Sequence, residues 1–140
     1  MSQSSHGWLI THEHCLDGAT AATIGAASGL TPIFSQPDRV ANALAALSDD
    51  RPVYLADVSV APAQWPAWKD RITWVLDHHQ TALPLATEPK TTIDMHRCGS
   101  HLLYDYVVAQ GWLEPSPQWQ RLIEHVERYD LWLPDHAMGR

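Results

Sequence analysis

Two short stretches and one isolated residue gather groups able to hold a cation or move a proton. They are His12-Glu13-His14-Cys15-Leu16-Asp17, Asp57, and Asp77-His78-His79. Each follows an apolar run: Gly7 to Thr11, Pro52 to Ala56, and Ile72 to Leu76. Imidazoles and carboxylates without paired cysteines suit Mn2+, Fe2+, Zn2+ or Mg2+ better than a closed structural zinc site. Carboxylates brought this close repel one another, and a cation relieves the repulsion. Asp130 is a fourth contributor. It shares a helical face with Trp119, Leu122, Ile123 and Val126, so it points toward the core, where a carboxylate needs a partner. At a frayed helix end, water would serve instead.

The elements that would position these groups alternate. Gly7 to Thr11, Thr31 to Ser35, Pro52 to Ala56 and Ile72 to Leu76 read as strands, nearly continuous in apolar residues. Ala-rich Gly18 to Gly29 reads as a helix closed by Gly29, and Asp38 to Leu47 has helical spacing. Ala63 to Lys69 reads as a short helical crossover. Ser100 to Gln110 and the segment opened by Ser116-Pro117 read as two further helices. The expectation is one α/β domain over residues 1–140: a three-layer sandwich with a mainly parallel sheet of four to five strands and helices on both faces. In a parallel sheet the strand C-termini share one edge, which is where open α/β folds bind ligands. Three apolar runs thus deliver their chemistry to a single rim.

Composition narrows the function. The 140 residues carry 9 basic and 16 acidic side chains, a net charge of −7, with nine His and two Cys. That excludes the broad basic face of a duplex-binding module. It leaves phosphate chemistry open, because bound metals invert the local sign. Cys15 and Cys98 are too few for a disulfide framework. Met1 to Gly7 lacks Lys and Arg, and the uncharged run Gly18 to Pro37 is too rich in small residues and proline for a membrane span. The expected compartment is the cytoplasm.

The order of these residues resembles the DHH phosphoesterase superfamily, which is named for the triplet seen here as Asp77-His78-His79. A His and Asp motif follows the first strand and runs into Asp17-Gly18 and small residues. An isolated Asp57 follows the third strand, and a late Asp130 lies beside aromatics in Tyr129-Asp130-Leu131-Trp132. The resemblance covers nearly the whole chain. It implies a two-metal phosphoesterase, usually Mn-dependent. His12 would hold one ion, Asp17 and His78 the other; Asp57 would bridge both, and Asp130 would complete the second site. Asp77 would buttress the triplet, and His79 would face the substrate phosphate. Two ions ~3.5–4 Å apart would activate a water and clamp the attacking and leaving oxygens.

The sequence departs from the family pattern in two places. The first motif has Asp17 but lacks a second aspartate; His14 would replace it as a ligand, or Cys15 would make the site softer and more zinc-tolerant. Cys15 also reads as a small packing residue, as does Cys98. The second departure is the ending, since many members carry a substrate-gripping domain beyond this point. The chain reads as a minimal member, a truncated product or an excised domain.

Arg97, Ser100 and His101 open a helix, where a phosphate could bind; a cap and a solvated face is the alternative. His96, His125 and His136 read as surface residues and His6 as disordered. The seven Trp read mostly as core or subunit contacts, Trp65, Trp68 and Trp74 around the fourth strand among them, with Trp132 near the site.

The expected substrate is a small phosphodiester, nucleotide or very short oligonucleotide, with pyrophosphate ranked lower and no duplex or membrane partner. Thr11-His12-Glu13-His14 also resembles the opening of an amidohydrolase barrel, but that fold needs about 250 residues. Two other readings remain. One is a degenerate, non-catalytic binding module that needs a partner domain; the other is a homodimer that closes the cleft.

Overall fold

The structure, a computed structural model, describes residues 6–131. Trp132 and His136 lie outside the described residues. Five parallel strands form one sheet in the order β2-β1-β3-β4-β5. They are β1 (Gly7–His12), β2 (Leu30–Ser35), β3 (Val53–Ala56), β4 (Trp74–Asp77) and β5 (Thr91–Ile93). The helices are α1 (Leu16–Ala27), α2 (Val40–Ala46), α3 (Trp65–Trp68), α4 (Gly99–Ala109) and α5 (Pro117–Leu131).

Alternating side chains divide the core in two. Leu9, Tyr54, Ala56 and Leu76 face one side of the sheet and pack with Ala21 and Ile24 of α1, Leu102, Leu103 and Val107 of α4, and Ile123 of α5. Ile10, Val53, Leu55 and Val75 face the other side, with Val40 and Leu44 of α2 and Trp65 of α3. Both faces are therefore covered, which is why the strands are apolar at every position rather than at alternate ones. The three-layer arrangement is as expected, and β5 brings the strand number to five.

Ser116 caps α5: its Oγ accepts the Trp119 amide at 3.1 Å. The buried stripe of α5 is narrower than its spacing suggests, because Leu122 is 40% exposed while Ile123 and Val126 are buried. Two of the described tryptophans tie neighbouring segments together. Trp65 Nε1 donates to Glu88 and Trp74 Nε1 to Thr92. His6, expected to be disordered, stacks on Trp112 at 4.1 Å. Among the described residues no helix is long and apolar enough to cross a membrane.

Candidate metal centre

The chain runs from β1 outward to β2, then returns to place β3 on the other side of β1. That reversal opens a crevice between the C-terminal ends of β1 and β3. His12 ends β1, Asp57 follows β3, and Asp77 ends β4. Thr11 Oγ1 donates to the Ala56 carbonyl at 2.8 Å, tying the two strand ends together just before His12 and Asp57.

Asp57 occupies the left-handed region at φ 65°, which Asp tolerates better than most side chains. Its amide donates to the Leu76 carbonyl at 3.0 Å, so the turn is locked to β4. Helix α4 begins directly against it. A Cβ added at Gly99 would lie 2.6 Å from Asp57 Cβ and 2.9 Å from its nitrogen. Likewise, a Cβ at Gly18 would lie 2.0 Å from the His12 carbonyl oxygen. Glycine at these two positions lets α4 and α1 approach the site's backbone.

One donor set is buried. Nε2 of His78 lies 3.0 Å from Asp57, 3.3 Å from Asp130 and 3.4 Å from Asp17. Asp17 is fully buried, and its two oxygens accept the Gly99 amide at 2.7 Å and the Ser100 amide at 2.8 Å. The helical spacing of α5 correctly aims Asp130 inward. One imidazole nitrogen carries at most one proton, yet three carboxylates converge on it. That is a donor set suited to a cation, and Asp17, His78 and Asp130 lie close enough together to hold one.

A second set opens on the cleft. His12, Cys15 and Asp57 also bring their donor atoms within 4.8 Å of one another. His12 Nδ1 donates to the Glu13 carbonyl at 2.6 Å, which leaves Nε2 free to ligate. Cys15 Sγ donates to Asp57 Oδ2 at 3.4 Å, while the other oxygen of Asp57 meets His78. Asp57 thus stands between the two sets.

Asp77 holds the triplet in place. Its Oδ1 accepts the His78 amide at 2.8 Å and His79 Nδ1 at 2.8 Å. His79 is half-exposed and, with His12, Asp57 and Asp77, lines a cleft of about 700 Å³. Val58, Val60, Pro62 and Ala82 form its apolar wall, and among the described residues its lining contains no Lys or Arg.

Four expected site residues are placed elsewhere. His14 is not with the ligands: at φ 54° its side chain turns outward, 89% exposed, toward Glu13. Arg97 is paired with Asp105 at 2.7 Å and Asp94 at 3.4 Å. His101 is held by Glu127 at 2.8 Å and lies 3.5 Å from Asp105. Ser100 is buried, and the anion at the α4 N-terminus is the Asp17 carboxylate rather than a phosphate. Glu127, which sequence reading missed, accepts the Cys98 amide at 2.7 Å and so caps α4 from α5. Its position three residues before Asp130, on the same helical face, is the signal that would have found it.

Burial and neighbouring charges set the proton distribution. Burial raises Asp57, and Asp17's charge adds to it against the His78 hydrogen bond, giving about 6. Asp130 is raised by burial and by Asp17. For Asp17 burial is outweighed by hydrogen bonds from His78 and Ser100, which hold it well below the usual carboxylate range. For His78 burial is outweighed by hydrogen bonds to Asp17 and Asp57, which push it up to about 10. Burial and the charge of Asp57 push the Cys15 thiol up to about 12. Without a cation, protonated His78 is therefore the counter-ion of the carboxylates, and an entering cation competes with that proton.

No family model matches the chain, and no curated protein matches it. Among solved structures it is similar to the crystal structure of an uncharacterized protein from Helicobacter pylori G27, with a TM-score of 0.69 and 16% sequence identity. The match covers 92% of this chain and 44% of that one, so the chain spans less than half the length of its structural neighbour. At this identity the likeness shows the fold alone, an α/β sandwich on a parallel sheet; the acidic and imidazole cluster that could hold a metal is a feature of this chain's own side chains.

Proposed function

We propose that the chain is a metal-dependent phosphoesterase of DHH type, acting on a small phosphodiester, nucleotide or very short oligonucleotide. The observation that carries this reading is Asp57, whose two oxygens face two donor sets at the mouth of the cleft. The proposed cofactor is a pair of divalent cations, Mn2+ before Mg2+, Fe2+ or Zn2+. When bound, such a pair supplies a water of lowered pKa and neutralises the phosphoryl oxygens.

The chain's own residues do the rest. Asp17, His78 and Asp130 would hold one ion, and His12 with neighbouring donors the other, with Asp57 shared. Asp77 fixes His79 through Nδ1, leaving Nε2 to donate to a phosphoryl oxygen in the cleft. The hydrogen bond to Asp77 raises the pKa of His79 and so favours its doubly protonated, donating form. A cleft of this size suits a small ligand. Among the described residues the lining has no Lys or Arg, so beyond His79 phosphate binding would depend on the cations.

The test is metal analysis of Mn-loaded protein together with hydrolysis of bis-p-nitrophenyl phosphate. Two ions per chain and metal-dependent turnover are expected, and failure to bind metal would overturn the reading. Bound metal without turnover would favour a binding module that needs a partner domain. The occupied states of Arg97 and His101 fit that second reading, because they leave the α4 side without a free phosphate clamp.

A further inference from the structure

We infer that Cys15 is itself a metal ligand, so that the chain's two cation sites differ in chemical kind. The cleft-side site takes a thiophilic, zinc- or iron(II)-like ion, and the buried site a hard, manganese- or magnesium-like one. This rests on the metal-dependent reading above and adds to it the identity of each site.

Four observations carry the inference. First, Cys15 occupies the N-cap position of α1 with extended backbone (φ −144°, ψ 134°), yet its side chain makes no capping hydrogen bond. Its sulfur is directed at Asp57 Oδ2 instead. Second, His12 presents a free Nε2 to the same space because Nδ1 is engaged by the Glu13 carbonyl. Third, the competing nitrogen ligand, His14, is turned out to solvent. Nitrogen, sulfur and oxygen donors therefore converge from His12, Cys15 and Asp57. Fourth, the buried set across Asp57 offers only carboxylates and one imidazole, from Asp17, His78 and Asp130.

Ligand softness then sorts the ions. Thiolate with imidazole selects zinc-like ions, whereas carboxylate-dominated sets suit manganese and magnesium. As the sulfur–metal bond forms, the thiol proton leaves to solvent and the sulfur binds as thiolate. The other cysteine, Cys98, is fully buried and pairs with Ser100 Oγ at 3.3 Å, outside both sets.

Cobalt titration of the metal-free chain tests this without any turnover measurement. Two Co2+ ions are expected to bind, one of them producing a near-ultraviolet thiolate-to-cobalt charge-transfer band. Cys15→Ser should lose that band and keep the other ion; serine is a good N-cap, so α1 still starts normally. Cys98→Ala should keep the band. Cys15→Asp should bind two ions without it. One equivalent of Zn2+ should erase the band in the native chain, and one equivalent of Mn2+ should not. Zinc should also protect Cys15 from alkylation by iodoacetamide. Two bound cobalt ions with no charge-transfer band, or a band that survives Cys15→Ser, would overturn the assignment of Cys15 while leaving the metal-dependent reading intact. No bound cobalt at all would overturn both.

Discussion

The two sides of Asp57 are built differently. On the inner side Asp17 comes from α1, His78 from the end of β4 and Asp130 from the last turn of α5, and the amides of α4 clamp Asp17. Each of these donors is anchored in a helix or directly follows a strand. On the outer side His12 ends β1 and Cys15 closes the short turn into α1, both half-buried and beside the cleft. The inner set is a property of the fold, and the outer set is a property of a few consecutive residues. A single substitution in that turn can change the donor type outside while the inner set stays as it is.

The largest expected break comes at the shared residue. Asp57→Ala should bring phosphodiester hydrolysis to background and weaken metal binding on both sides. Asp57→Asn, which tolerates the same left-handed backbone, separates loss of charge from strain. Metal analysis and turnover check both variants. Next is Gly99→Ala, where the added methyl meets Asp57 Cβ. It should destabilise the metal-free chain by about 1–3 kcal/mol in denaturant unfolding and disturb both sets at once. Asp77→Asn loosens the hold on His78 and His79 and should cost ~10–100-fold in metal affinity or activity.

A pH series sharpens the contrast, because the inner set depends on a protonated imidazole. The folded value of His78 is about 10 against an ordinary 6.5, so its contribution is complete below 6.5 and lost as pH rises through about 10. Asp57, raised to about 6, acts in the same direction at lower pH. The melting temperature of the metal-free chain should therefore fall as pH rises from about 6.5 to 10. Saturating Mn2+ should flatten that fall. The smallest effect is expected at the outer turn: His14→Asn should change activity little and stability by less than about 0.5 kcal/mol.

The sheet was legible in the sequence because β1 to β4 are largely apolar runs, three of which lead into charged groups. β5 was not singled out: it has three residues, all half-buried, and Thr-Thr-Ile reads equally well as a loop. Asp130 was legible because helical spacing carries orientation. The His14 and Cys15 alternatives were not separable, since neighbouring residues in a turn follow no period and a positive φ at His14 decides which one faces inward. The start of α4 was foreseen, but its anion was not. The group that satisfies those amides lies 82 and 83 residues earlier, a distance no local pattern spans.

That separation has a kinetic meaning. A contact closing so long a stretch of chain is among the slowest to form, because its loop entropy is spent before the contact rewards it. Asp17 is clamped only once α4 has docked on the sheet, and Asp130 is in place only once α5 has. A cation with affinity for the completed set alone would therefore recognise the finished fold and pass over its precursors, drawing the last docking step forward by mass action.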